Sequence, residues 1–270
     1  MSTAASTRPA GRSVGVRLDL GQYLALWRHL GLGERPAALY VRDHGATHEE
    51  RDALDAAAWW RLGARGLLDH RGAPDAGLAD ALAVLARPAR EVDVVVQAPG
   101  AEPHTVCAVA RGGLGLVARL EDGGLLVEPA DPHDLAGSLL ARLPDARPAP
   151  GVAMSLPAEA LFGKGLSLDE RSRRLRRAGV SPHRVERLRT FWSRPPDRAM
   201  TFGVAARDPH GRPHRGARTV TVLDTAAGRV SWGLDPTGRH VLVHPLDRPR
   251  LRTELGKLLD AHVGEVARGR

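Results

Sequence analysis

The chain has 270 residues, 43% hydrophobic and 26% charged, a balance that fits a globular fold with a substantial core and excludes wholesale disorder. Its one cysteine, Cys107, excludes an intrachain disulfide and a cysteine-only metal site. Basic residues outnumber acidic ones by 39 to 31, for a net charge of +8, and only Lys164 and Lys257 are lysines. The charge is uneven: residues 1–150 carry −3 and residues 151–270 carry +11. Residues 1–13 are small and polar, without the apolar core of an export signal, and read as a frayed start. No apolar run approaches the ~20 residues of a membrane helix. The expectation is a cytoplasmic protein with no membrane anchor.

Val16, Leu18 and Leu20 alternate with Arg17 and Asp19 as in a short strand, and Tyr23, Leu24, Trp27 and Leu30 then take helical spacing up to Gly31 and Gly33. Thr47 and Glu50 form the hydroxyl and carboxylate of a capping box. The helix behind it carries Leu54, Ala58 and Leu62 on one stripe and stops at Gly66. Pro74-Asp75 opens a further helix with Leu78, Leu82 and Leu85 inward. The period then changes to two: Val92, Val94 and Val96, then Val106, Ala108 and Ala110, with Gly112-Gly113 and Gly123-Gly124 as turns of an antiparallel meander. Leu135, Leu139 and Leu143 mark another helix, and the proline-rich stretch from Pro144 to Pro157 reads as a linker.

After the linker the same order recurs. Residues 168–178 and 182–192 read as helices; Phe202, Val204 and Ala206 alternate; Asp208-Pro209-His210-Gly211 is a turn; Thr219, Thr221 and Leu223 alternate; and Leu251, Leu255, Leu258 and Leu259 make a closing helix. Residues 126–143 match residues 242–259 at a constant offset of 116, with 7 identities in 18 positions. Val16-x-Leu18-x-Leu20 echoes Val152-x-Met154-x-Leu156, Leu62-x-x-x-Gly66 echoes Leu175-x-x-x-Gly179, and Arg87-Pro88 echoes Arg194-Pro195. A period above 100 residues is that of a duplicated domain, not of a solenoid. The expectation is an α+β fold of two similar halves, 14–144 and 151–264, joined by the 144–157 linker and sharing one core about a pseudo-twofold axis.

No catalytic or cofactor signature stands out. His44 and His48 straddle a helix start, His210 and His214 bracket a turn, and both pairs read as solvent-exposed histidines. Cys107 sits in an alternating strand and reads as a small buried residue. Ser138 lacks the glycine elbow of a hydrolase nucleophile, and Gly113-Leu114-Gly115 lacks the third glycine of a dinucleotide turn. Glu49-Glu50 and Asp169-Glu170 sit where helix N-termini favour carboxylates. The densest charge feature is the run Arg171, Arg173, Arg174, Arg176, Arg177, Arg184, Arg187 and Arg189. It reads as a solvated face or a site for an acidic protein; binding of nucleic acid through residues 171–189 is the alternative. Aromatics at 4% argue against a single-strand stacking platform.

The order of the structural residues resembles one family. Leu24, Leu26-Trp27, Leu30-Gly31-Leu32-Gly33-Glu34, Pro36 and Leu39 open the pattern, followed by Thr47-x-x-Glu50-Arg51 and Leu62-x-x-Arg65-Gly66-Leu67. The linker, Leu175-x-x-Ala178-Gly179-Val180, Phe202-Gly203, Arg207-Asp208-x-x-Gly211-Arg212, Val222-x-Asp224-Thr225-x-x-Gly228-Arg229 and Val243-x-Pro245-x-Asp247 continue it. Over residues 14–264 the chain resembles the EspG proteins of ESX (type VII) secretion.

That resemblance implies a central, largely antiparallel sheet flanked by helical bundles about a quasi-twofold axis. It implies a cytosolic, non-enzymatic chaperone without cofactor or metal, which binds PE–PPE heterodimers, covers a hydrophobic tip of the PPE protein and keeps the pair soluble for secretion. It places contacts at the loop Gln97 to Thr105, one face of strands 199–208 and 217–224, and helices 168–192, with Phe202, Arg218, Val220 and Val222 as candidate partner-binding residues. One departure stands out: the family's aromatic hairpin near Gly228 is here Arg229-Val230-Ser231-Trp232 with a shortened turn.

Overall fold

The structure is a computed structural model that describes residues 15–121, 123–151, 153–163, 165–235 and 237–269. The expected frayed start at 1–13 and the Val152 position of the strand echo lie outside the described residues.

The first half runs β1 (Val16–Asp19), α1 (Leu20–His29), α2 (His48–Ala64), α3 (Ala76–Ala86), β2 (Arg90–Gln97), β3 (His104–Arg111), β4 (Leu114–Glu121), β5 (Gly124–Ala130) and α4 (Leu135–Leu140). The second runs β6 (Met154–Pro157), α5 (Ala158–Leu161), α6 (Leu168–Arg177), α7 (Pro182–Trp192), β7 (Arg198–Arg207), β8 (Pro213–Arg215), β9 (Val220–Thr225), β10 (Gly228–Leu234), β11 (His240–Pro245) and α8 (Arg248–Ala267). Polar caps set the helix starts. Asp19 and Gln22 close a capping box on α1, Thr47 and Glu50 close another on α2, and Asp75, Asp134, Ser167 and Asp247 cap α3, α4, α6 and α8.

All eleven strands form one antiparallel sheet in the order β1-β5-β4-β3-β2-β7-β9-β10-β11-β6, with β8 paired to the end of β7. Read inward from either edge, the order is the first strand of a half, then its last, then back to its second. Val16 pairs with Val127 and Met154 with Val243. Val127 and Val243 are the residues matched at the offset of 116, so the ladders align Val16 with Met154. The expected echo set Val16 against Val152; the difference of two residues keeps the same face inward and puts the fully buried Leu18 and Leu156 in equivalent places.

Even-numbered residues of the central strands point to one face, here the back. Val92, Val94, Met200, Phe202, Val204 and Val222 are buried there under α4 and α8. The opposite, front face is covered only at its ends. Around α1 and α3, Leu18, Tyr23, Trp27, Leu82 and Leu85 pack on Cys107, Val109, Leu116 and Leu125. At the other end Leu161, Leu175, Val185 and Leu188 of α5 to α7 pack on Met154, Leu156, Val230 and Val243.

Three expectations need correcting. The linker is shorter than the proline pattern suggests, because Met154–Pro157 is an edge strand, where proline is tolerated. Leu54 is 44% exposed and does not continue the Ala58–Leu62 stripe, because only the later turns of α2, at Ala58 and Leu62, are buried. Leu143 is buried, but it lies beyond α4, which ends at Leu140.

The shortened linker is tied down at Arg229. This arginine is 2% exposed and donates from Nε and Nη2 to Asp224 at 2.6 and 3.0 Å, and from Nη2 to the Pro144 carbonyl at 3.0 Å. Arg198 adds a 2.9 Å bond to the same carboxylate. Gly228, at φ +118°, lets the 147–149 backbone pass at the distance a side chain would occupy. Ala149 N–H donates to the Arg229 carbonyl at 3.0 Å. Replacing Arg229 by methionine strands the buried Asp224 with a single partner, at a cost of about 3–5 kcal/mol in folding stability. Urea denaturation measures it; a loss below about 1 kcal/mol would show that Arg198 alone satisfies Asp224.

Candidate functional site

Between the two front bundles, the odd-numbered residues of β2, β7 and β9 form an uncovered strip. Pairing registers set them in rows across the sheet. Val95 lies opposite both Thr105 and Thr201, Thr201 opposite Thr221, and Thr221 opposite Trp232. Val95 is 38% exposed, and Thr201 is exposed as well. Trp232 closes the row against Trp192 of α7, edge to face with ring centroids 6.0 Å apart. β-branched residues suit a flat strand surface, and they give this strip a methyl-rich face with few fixed charges.

Toward the β7–β8 turn the strip becomes charged. Arg215 lies across Gly203 and grips Asp93 with two bonds of 2.5 and 2.8 Å. A Cβ at position 203 would overlap the Arg215 guanidinium and displace it from this path. Asp93 is 5% exposed, and its partner comes from 122 residues away. Beside them sits Glu91, whose carboxyl is pushed up to about 7 by burial first and by the neighbouring Asp93 second, against the attraction of Arg215 and Arg207. Burial also holds the Cys107 thiol, on the adjacent strand, in its neutral form.

The four candidate partner residues fall on different surfaces. Phe202 and Val222 are fully buried on the back face, and Val220 packs partly against the same core. Only Arg218 is exposed. The strand alternation is as expected, but its larger apolar side chains lie under α8, so the residues that face outward from these strands are Thr201 and Thr221. Glu91, Asp93, Val95 and Arg215 carry the rest of the strip, and none of them belongs to a recognisable motif. The period-two pattern is the one signal that could have found Val95 and Thr201.

The other chemistry-bearing residues are largely tied up. His44 does not face solvent; its Nε2 lies 2.9 Å from both Asp55 Oδ1 and Arg28 Nη2. This contact joins the 41–47 loop to α1 and α2. His48 and His210 are exposed, and His214 lies 3.2 Å from Asp208. In the arginine run, Glu170 pairs with Arg173 and Arg174, Asp169 takes Arg189 at 2.5 Å, and Arg187 donates to the Pro150 carbonyl at 2.6 Å. Contact with Arg189 holds the Asp169 carboxyl below its usual range.

A sheet with two helical wings, roofed behind and open along its middle in front, defines the structural class. Within that class the sequence identifies the family: the chain belongs to the EspG family, whose model matches residues 19–257. Among solved structures it is similar to the Mycobacterium tuberculosis type VII secretion system chaperone EspG5, solved in complex with the PE25–PPE41 dimer. That likeness has a TM-score of 0.70 at 16% identity and covers 94% of this chain and 97% of the other. No curated protein sequence matches the chain. No helix among the described residues is long and apolar enough to cross a membrane.

The position of Glu91 has a consequence for stability. Its folded-state value of about 7 lies above the unfolded 4.5, so the folded protein holds a proton that the unfolded chain gives up between those values. Stability therefore falls as pH rises from 4.5 to about 7. Glu91→Gln removes that loss. The variant melts higher than the parent above pH 7, by roughly 2–4 °C per kcal/mol, and the difference shrinks toward zero below pH 4.5. Thermal melts across this range check the slope, and a difference independent of pH would contradict it.

Proposed function

We propose that the protein is a cytoplasmic, non-enzymatic chaperone of type VII secretion that holds a PE–PPE-type heterodimer against the front strip of its sheet. The observation that carries this reading is the strip itself. Family membership supports it, and so does the complex in which the similar EspG5 structure was solved. A folded sheet normally covers both faces of its central strands or makes the open one polar; here Val95, Thr201 and Thr221 stand between two raised bundles with no strong charge among them. A helical tip inserted between the bundles would bury this methyl surface without rearranging the core, and Trp192 and Trp232 would form one wall. Recognition would rest on shape and apolar burial, with no turnover.

We further propose that the chain consists of two repeats, 14–144 and 151–264, sharing the sheet through β2 and β7. The mirrored strand order supports this division. The longer helices of the first half and the short α5 of the second make the two walls of the cleft unequal.

Co-expression with PE–PPE gene pairs from its source tests the function, with a 1:1:1 complex on size-exclusion chromatography as the expected result. Absence of a complex with every such pair would sink it. A low-salt mobility shift with DNA or RNA, lost when Arg176, Arg177 and Arg184 are replaced by glutamine, would instead favour nucleic-acid binding through 171–189. Within the chaperone reading, Thr201→Arg places a bulky charge at the middle of the strip. It weakens the complex by at least about tenfold while changing stability by no more than ~0.5 kcal/mol. Lys257→Glu, on the exposed side of α8, leaves binding unchanged.

A further inference from the structure

We propose that the outer face of α2 is a surface for a second copy of this chain, with the two α2 helices antiparallel and Trp60 of each seated in a hollow between α1 and α2 of the other. No residue of the front strip takes part, and the inference does not rest on the docking reading.

α2 is apolar on two sides. Ala58 and Leu62 are buried toward the core. The two charged residues between Ala53 and Ala64 turn to the same side, Asp55 to Arg28 of α1 and Arg61 to Asp19. The outward side is left with Ala53, Ala56, Ala57, Trp60 and Ala64, all exposed. Spaced 4, 3 and 4 residues apart, Ala53, Ala57, Trp60 and Ala64 make one uncharged stripe about 17 Å long. The solvent side of an amphipathic helix is normally charged or polar.

Trp60 is 75% exposed. Its neighbour Trp59 lies against His29, with ring centroids 4.6 Å apart, and its Nε1 donates to the Gly72 carbonyl at 3.3 Å. Trp60 has neither a ring contact nor a hydrogen bond among the described residues. Beside it is a hollow of about 670 Å³ lined by Ala25, His29, Ala56 and Trp59. One helix face thus holds an uncovered indole and, one turn away at Ala56, an unfilled hollow with aromatic walls.

The ends of the helix select the occupant. Glu49 and Glu50 stand in the first turn of α2, Arg61 in the last and Arg65 at its C-cap. Arg65 donates to two neutral oxygens, Gln22 Oε1 at 2.7 Å and the Arg17 carbonyl at 2.6 Å, so no carboxylate balances its charge. An antiparallel copy sets each acidic end beside the basic end of its mate, whereas a parallel copy sets like charges together. A twofold interface has to be self-complementary, and this face is. With the axis near Ala57, each Trp60 stands level with the hollow at Ala56 of the other chain, and each Ala53 level with Ala64. The alanines let the helices approach closely. A foreign helix would have to supply the same ridge, hollow and charge order that this chain already carries.

A contact of this length is smaller than a standard interface, so the expected dissociation constant is about 10–100 μM. Sedimentation velocity of the full chain, from about 1 to about 500 μM, measures it. Trp60→Ala weakens the dimer at least about tenfold, and Ala57→Arg, at the axis, leaves a monomer. Both positions are exposed, and thermal melts verify that the variants fold as the parent does. The native Cys107 is buried with its thiol neutral, so introduced cysteines report the register. Oxidation by copper–phenanthroline cross-links Ala57→Cys to itself and spares Ala64→Cys, whose two copies stand about 20 Å apart. A parent that stays monomeric, or a dimer unaffected by Trp60→Ala and Ala57→Arg, overturns the proposal. So does cross-linking at position 64 equal to that at 57, the mark of a parallel pair. A monomeric parent whose Trp60→Ala variant captures a PE–PPE pair about tenfold more weakly also overturns it, and assigns the face to the heterodimer.

Discussion

The antiparallel pairing of β2 with β7 is the joint on which the rest of the molecule depends. Eight consecutive residue pairs, from Arg90–Ala206 to Gln97–Ala199, turn a five-strand sheet and a six-strand sheet into one. The joint has a fixed parity. Val92, Val94 and Val96 share a face with Val204, Phe202 and Met200, and that face becomes the floor of the core under α4 and α8. The other face then holds Glu91, Asp93 and Val95 beside Ala205, Gly203 and Thr201. It stays open because each front bundle packs on the outer strands of its own half. A slip of one residue in this ladder would put the valines in solvent and the carboxylates in the core. The open strip is thus a by-product of the way the halves are joined.

That parity also marks the limit of what the sequence alone conveys. Alternation of apolar residues placed β2, β3, β7 and β9 correctly, and the glycine and proline turns bounded them, because both signals are local. Which side of a strand a helix covers is not local. Phe202 and Val222 look like natural contact residues on an exposed strand, yet α8 comes back across the sheet and buries them. The 20 residues of α8 against the 6 of α4 are visible in the sequence as a long closing leucine pattern, but its destination is not. The Asp93–Arg215 pair joins residues 122 apart with no spacing rule to connect them. Gly203 is legible only in hindsight, as the position where a side chain would displace that arginine.

Arg229 illustrates the opposite case. Asp224 and Arg229 flank a tight turn, opposite each other on β9 and β10, so their meeting follows from the hairpin. What the sequence hides is their burial. The replacement of an aromatic hairpin by Arg229-Val230-Ser231-Trp232 looks like a change in a surface used for contacts. In the structure Arg229 points to the back face and fastens the chain between the halves, while Trp232 remains on the front beside Trp192. One short segment thus serves two faces: its arginine sets how the halves are connected, and its tryptophan shapes the wall of the cleft.

The charge asymmetry between the halves now has a structural component. Every ion pair that joins residues before 150 to residues after 150 among the described residues has the same sense, arginine from the second half and aspartate from the first. Arg215 meets Asp93, Arg252 meets Asp134, and Arg229 and Arg248 both approach Asp145. Arg207 and Arg248 also donate across the joint, to the carbonyls of Ala86 and Leu143. An acidic first half and a basic second half attract along their whole boundary, which favours this association over pairing of like halves from two chains. The excess positive charge is therefore not all available to a partner. What is left outside these contacts includes the exposed Arg176, Arg177 and Arg184 of α6 and α7.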